Sequence, residues 1–179
     1  MQWNFFEPTG GANLHNAWPR STGEGIVVAV LDTGYRPHED LFDNLVSVGY
    51  DFIADAETSR KAPGRSEDAI DPGDWHGGEC NFFGIPEPSS WHGSHVAGTV
   101  AAVTNNGIGV AGVAPDAQVL PVRVLGKCGG FLSDIADAIV WSAGGEVPGI
   151  PDNPDVAEVI NMSLGGSGAC GTVYQDAID

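Results

Sequence analysis

From Ile26 to Leu31 every position is apolar, and Asp32-Thr33-Gly34 ends the run at once. A continuous apolar stretch stopped by a carboxylate and a glycine predicts a strand buried on both faces of a parallel sheet. Leu45 to Ile53 predicts a second strand, broken by Ser47 and Gly49. Ala117 to Leu125 predicts a third, entered through the turn signal Ala114-Pro115-Asp116. Ala157 to Met162 predicts a fourth, which leaves into Ser163-Leu164-Gly165-Gly166. Between these runs the period changes. His92 opens a helical pattern of small residues, Val96, Ala97, Val100 and Ala101. A helix from Ser133, read as its N-cap, to about Ala143 gathers Ile135, Ala136, Ile139 and Val140 on one face. Thr172 to Asp179 starts a further helix.

Strands alternating with helices imply an α/β fold, a parallel sheet with helices on both faces. The final helix has no strand to return to, so the sheet is expected to be incomplete at its C-terminal end. Neither an internal repeat nor a second domain is visible in residues 1–179. Residues 55–91 have no usable period and are rich in Asp, Glu, Gly, Pro and Ser. That is too long for an ordinary connection, so this acidic loop insertion is expected to be functional, held by metal, or mobile.

Charge narrows the partners. Lys and Arg number 7 against 24 Asp and Glu, a formal net charge of −17. Such a surface repels nucleic acid and anionic membranes, so neither is expected as a partner, and it suits cations. No apolar run approaches the length of a bilayer span. No leader-like stretch precedes Gln2-Trp3-Asn4, so Met1 reads as a start placed on a mature N-terminus. Of the three cysteines, Cys80 and Cys128 lie in Gly-rich loops, as surface disulfide partners often do. Cys170 is then left over, either as a free thiol or as half of a bridge to a cysteine elsewhere, the second being the reading favoured here.

The chemistry gathers at two motifs. Asp32 at the end of a buried strand stands where α/β proteins keep their sites, at the carboxyl edge of the sheet. His92, in His92-Gly93-Ser94-His95-Val96-Ala97-Gly98-Thr99, puts an imidazole at the head of a helix. An acid and an imidazole presented this way are two members of a nucleophilic triad. No serine in a matching setting follows. A zinc reading of His76, Asp74 and Glu79 with His92 and His95 lacks a His-Glu-x-x-His spacing. A phosphate-binding reading lacks a Gly-x-Gly-x-x-Gly turn after the first strand.

Val28-Ala29-Val30-Leu31-Asp32-Thr33-Gly34, then the His92 motif, then Gly109-Val110-Ala111-Gly112-Val113-Ala114-Pro115, then Ile160-Asn161-Met162-Ser163-Leu164-Gly165-Gly166 run in order along the chain. Together they resemble the subtilisin-like serine protease family, most closely its secreted bacterial members. The resemblance implies a secreted endopeptidase acting on peptide or protein substrates, with Asp32 as triad acid and His92 as general base. His95 is then a structural neighbour. The family's nucleophilic serine, in a Gly-Thr-Ser-Met-Ala-like turn, and its oxyanion asparagine, in an Ala-Gly-Asn-like segment, do not occur before Asp179. The chain thus looks like the N-terminal portion of one catalytic domain, expected to be inactive alone. The remaining C-terminal segment is an implied partner and would hold the mate of Cys170.

The resemblance also implies Ca2+. Gln2, Asp40 and the Asn106 side chain, with the main-chain oxygens of Val103, Ile108 and Val110, match the family's strong calcium loop. Calcium takes six to eight oxygens, which this set approaches. Apart from the resemblance, Asp55, Asp68 and Asp71 of the acidic loop, with the Arg65 carbonyl, could hold a second calcium, the alternative being a loop that is simply solvated. For substrate, Gly126, Gly129 and Gly130 leave room for an added peptide strand, as β-augmentation requires. Phe131 and Leu132 are expected to border an apolar subsite, and Ser163, Leu164, Gly165 and Gly166 to form the opposite wall. The alternative reading is a catalytically inert calcium- and peptide-binding fragment.

Overall fold

A computed structural model describes residues 2–62, 64–168 and 171–179. Cys170 lies outside the described residues. Four strands, β1 (Val27–Asp32), β2 (Tyr50–Asp51), β3 (Gln118–Arg123) and β4 (Val159–Asn161), form a sheet of order β2-β3-β1-β4 with every pairing parallel. Among the described residues the helices are α1 (Trp3–Phe6), α2 (Ala56–Ser59), α3 (His92–Ala101), α4 (Leu132–Ser142) and α5 (Thr172–Ile178).

Alternation along β1 and β3 builds two cores, because successive strand side chains point to opposite faces. Ala29, Leu31, Leu120 and Val122 pack with Ile135, Ala138, Ile139 and Trp141 of α4. Val28, Val30 and Val119 pack with Ala97 and Ala101 of α3. Helices therefore cover both faces, which is why β1 needs no polar side. Asp32 shares the parity of Val28 and Val30 and so belongs to the α3 face, the one that carries His92.

Several elements differ from expectation. The second strand is only Tyr50–Asp51, with an isolated bridge from Leu45 to Val119. Its neighbour β3 presents Pro121, which has no N–H to donate, so the ladder is interrupted there. The fourth strand is shortened to Val159–Asn161, and Val159 is 48% exposed. Helix α4 starts at Leu132, not at a Ser133 cap. Phe131 is the extended residue at its head, with no side-chain cap. Asp134 in the first turn complements the helix dipole instead, as acids near helix N-termini do.

The acidic stretch is structured by side chains. Asp55 accepts from Thr58 N at 2.8 Å and caps α2. Arg65 Nη2 lies 2.7 Å from both Asp134 and Asp137, tying the stretch to α4. The Arg60 guanidinium stacks 3.4 Å from the Trp75 ring centroid. His76 and Glu87 exchange main-chain bonds, and Cys80–Cys128 fastens the tip to the turn after β3.

Candidate active site

β1 delivers Asp32 to the carboxyl end of the sheet with no exposed surface. His92 begins α3, and its Nδ1 stands 2.8 Å from Asp32 Oδ1 and 2.9 Å from Oδ2. The same Oδ1 accepts from Thr33 N at 2.7 Å, so main chain fixes the carboxylate. The imidazole is 47% exposed, and among the described residues nothing bonds its Nε2. One ring nitrogen is thus committed to the acid while the other faces outward. His95 takes no part, being one turn further along the helix.

The turn after Asp32 fits tightly under α3. Gly93 N donates to Thr33 Oγ1 at 3.0 Å. A Cβ on Gly93 would fall 2.2 Å from Gly34 O, so only glycine lets the helix seat this close. The segment before His92 is held from the acidic stretch. Asp74 accepts from Ser90 N at 2.6 Å and Ser90 Oγ at 2.7 Å, and Ser90 Oγ accepts from His92 N at 3.2 Å. Trp91 adopts a left-handed conformation, φ +53°, to turn the chain into the helix. Beyond it, α3 borders an open cavity of about 730 Å³ lined in part by Phe5, Leu41, Trp91 and His95.

Sequence reasoning missed the polar layer beside the acid. Arg123 ends β3 in register with Asp32 and, on its other side, with Asp51. All three are fully buried. Arg123 Nη1 pairs with Asp51 Oδ2 at 2.6 Å, and its Nε donates to Thr33 O at 3.1 Å. The one available signal was a lone aspartate in Tyr50-Asp51-Phe52-Ile53 and a lone arginine in Val122-Arg123-Val124-Leu125, each inside an otherwise apolar run. Nearby, Asp71 Oδ1 accepts from Gly73 N, while Oδ2 has no partner among the described residues. Burial pushes the Asp71 carboxyl above the ordinary carboxylate range.

Because the strands are parallel, the segments leaving β3 and β4 flank Asp32. Gly126 and Gly129 pair with each other, N to O at 2.8 and 3.1 Å, closing a tight turn. Gly126 main-chain groups are therefore engaged within the turn. Gly130, Phe131 (51% exposed) and Leu132 (45% exposed) follow on one side of the acid. On the other, Ser163 Oγ accepts from Asn161 Nδ2 at 3.1 Å, and a Cβ on Gly165 or Gly166 would meet open space.

The residues expected to hold the first calcium come together. Asp40 is buried, accepts from Asn106 Nδ2 and Val110 N, each at 2.8 Å, and has no ion-pair partner among the described residues. Gln2 Oε1 accepts from Ala111 N at 2.8 Å, bringing the N-terminal segment to the same loop. Gly109, φ +51°, lets the loop close on Asp40, because a Cβ there would sit 2.0 Å from Oδ2. A buried carboxylate met only by neutral N–H donors, with no countercharge among the described residues, suits a hard cation. The second set is not gathered this way. Asp55 caps α2, Asp68 Oδ1 accepts from Ile70 N, and Asp71 faces Gly73. Among the described residues no three His, Cys, Asp or Glu side chains assemble as a metal-holding group.

Known proteins similar to this chain are extracellular proteases. The chain is 61% identical over 179 residues to an extracellular protease of Xanthomonas campestris, covering 99% of this chain and 31% of that protein. It is 52% identical to an extracellular basic protease of Dichelobacter nodosus, covering all of this chain and 30% of that protein. A solved protease structure from Pseudoalteromonas arctica superposes with a TM-score of 0.94 at 59% identity, covering 99% of this chain and 52% of that one. The chain thus spans about a third of the length of these curated relatives. The profile described as the Subtilase family, Peptidase_S8, matches residues 23–179, and the chain belongs to that family.

Proposed function

We propose that these residues form the N-terminal portion of the catalytic domain of a secreted, calcium-dependent serine endopeptidase. The observation that carries this is the Asp32–His92 pair: a buried carboxylate on Nδ1 and an outward Nε2. Asp32 selects the tautomer with its proton on Nδ1 and stabilises the imidazolium that forms. Nε2 then takes the proton of a serine hydroxyl as that oxygen attacks a peptide carbonyl, and returns it to the leaving amine. The nucleophile and the oxyanion donor come from polypeptide beyond residue 179. Ser163 is instead part of the groove wall, its hydroxyl held by Asn161 at the end of β4.

In this reading an extended peptide lies between Gly126, Gly129, Gly130, Phe131 and Leu132 on one side and Ser163, Leu164, Gly165 and Gly166 on the other. Calcium would be held by Gln2, Asp40, Asn106 and the carbonyls of Val103, Ile108 and Val110, fastening the N-terminus to the loop after α3. The Asp55, Arg65, Asp68 and Asp71 set is a weaker second candidate for the same ion. Secretion follows the relatives named as extracellular. It also agrees with a disulfide and with no helix, among the described residues, long and apolar enough to cross a membrane.

That no described serine bonds His92 Nε2 favours a second reading for the 179 residues alone, an inert module that binds calcium and peptide. Loss of the nucleophile costs on the order of 10⁶ in turnover, a magnitude established on subtilisin itself. A fluorophosphonate probe tests both. It is expected to label the protein extended past Asp179 and to leave the 179-residue chain unlabelled. Labelling of Ser163 or Ser94 in the short chain would overturn the assignment.

A further inference from the structure

Asp51, Arg123 and Asp32 close three neighbouring strands at register-matched positions, two carboxylates with one cation between them. Strand alternation sets all three on the face covered by α3, and each is fully buried. The guanidinium is anchored on one side, with Nη1 2.6 Å from Asp51 Oδ2 and 3.1 Å from Ser59 Oγ. Its Nε points the other way and donates to the Thr33 carbonyl at 3.1 Å. Thr33 is where the contacts divide. Its N–H bonds Asp32 Oδ1 at 2.7 Å, and its Oγ1 accepts from Gly93 N, the residue after His92, at 3.0 Å.

Pairing with Asp51 alone would satisfy the charge of Arg123. It does not require a bond to Thr33. A planar guanidinium has donors on two edges in fixed relation, so it can brace a carbonyl while pinned to an acid. The fit is close, since a Cβ on Gly34 would lie 3.0 Å from Arg123 Cδ and 2.2 Å from Ala69 O. The turn is thus packed between Arg123 on one side and α3 on the other.

We propose that Arg123 is a positioning residue for the triad: its buried guanidinium fixes the Asp32-Thr33-Gly34 turn against the first turn of α3 and thereby sets the Asp32–His92 hydrogen bond. This rests on the triad reading above. Displacements of about 1 Å at a catalytic group cost on the order of 100-fold in rate, so a strut of this kind has kinetic consequences.

The test uses the protein extended past Asp179, with turnover counted per active site titrated by a fluorophosphonate. R123M is combined with D51N so that Asp51 is not left buried without its guanidinium, since neutralising both partners of such a pair is tolerated far better than removing one. Lys61, 3.4 Å from Asp51, keeps its contacts to Asp68. The double variant is expected to lower kcat roughly 10- to 100-fold, with KM within about twofold, and to shift the low-field proton resonance of His92 Nδ1–H. R123K keeps the charge for Asp51 but lacks the second donor edge that reaches Thr33, so it is expected to hold the fold better than R123M while losing kcat to a similar extent. If R123M/D51N does not fold, T33V removes the last link while leaving the ion pair, and the same fall in kcat is expected. Unchanged kcat in folded R123M/D51N or in T33V, with only Tm lowered, would make Arg123 structural and overturn the proposal alone. A wild-type protein that neither turns over nor labels would overturn the triad reading and this proposal with it.

Discussion

His92 faces Asp32 with Nδ1 equidistant, at 2.8 and 2.9 Å, from both carboxylate oxygens, although 60 residues separate the two in the chain. A carboxylate so placed selects the tautomer as well as the orientation of the ring. Asp32→Asn keeps the shape but presents an amide donor to Nδ1 and so favours the wrong tautomer. In the extended protein kcat is expected to fall about 10⁴-fold, with Tm little changed. Active-site-titrated hydrolysis of a peptide substrate checks this. A loss below about tenfold would mean that Asp32 is not the triad acid.

Much of this arrangement was legible in the chain, and the reason is local. The run Ile26–Leu31 is apolar at every position because both faces of β1 are covered, and its abrupt end in Asp32 marks the sheet edge. The helix headed by His92 was legible from small residues that allow close seating. The contacts organising residues 55–91 were not. Arg65 with Asp134, Arg60 over Trp75, and Asp74 with Ser90 join residues 15 to 69 positions apart, and no period records such pairs. Arg123 was hidden for another reason. A single charged residue within an apolar run carries no record of its partner, and here Asp51 on the neighbouring strand makes full burial possible.

Acid should loosen the fastening between the acidic stretch and the turn after β3. Lys127 lies 2.8 Å from Glu79 and 2.8 Å from Glu57. Its hydrogen bond holds the Glu79 carboxyl down to about 2, from an ordinary 4.5. A carboxyl lowered in the folded state contributes stability that is complete above its unfolded pKa and is lost as pH falls through the folded one. The window is therefore pH 4.5 down to about 2. Thermal melts across it should show a steeper loss in the wild type than in E79Q. Salt at about 1 M should narrow the difference, because the pair is exposed. Identical slopes in the two proteins would exclude the Glu79 contact.

Cys80–Cys128 closes a sequence separation of 48 residues. Cross-linking a loop of that size restrains the unfolded chain by about 2–4 kcal/mol. The C80A/C128A variant is expected to lose that much in guanidinium unfolding. It should retain the Asp32–His92 bond, whose supports lie in β1, α3 and Thr33. A shifted His92 resonance in the folded variant would show that the bridge also orders the catalytic pair.

Removing calcium should matter most where Asp40 is buried without a countercharge. Its carboxylate is satisfied by the Asn106 amide and Val110 N, both neutral, and would lose a favourable cation if the calcium proposed there were removed. Binding to the folded state alone adds about 2.7 kcal/mol at a hundredfold excess over Kd. Tm is thus expected to rise with calcium concentration and to fall on chelation, and D40A should abolish the response. Gln2 reaches the same loop through Ala111, so chelation should also free the N-terminal segment to limited proteolysis before the sheet unfolds. A calcium response that survives D40A would move the ion elsewhere, with Asp55, Asp68 and Asp71 the next residues to substitute. A Tm indifferent to calcium would leave the Asp40 loop as a hydrogen-bonded turn.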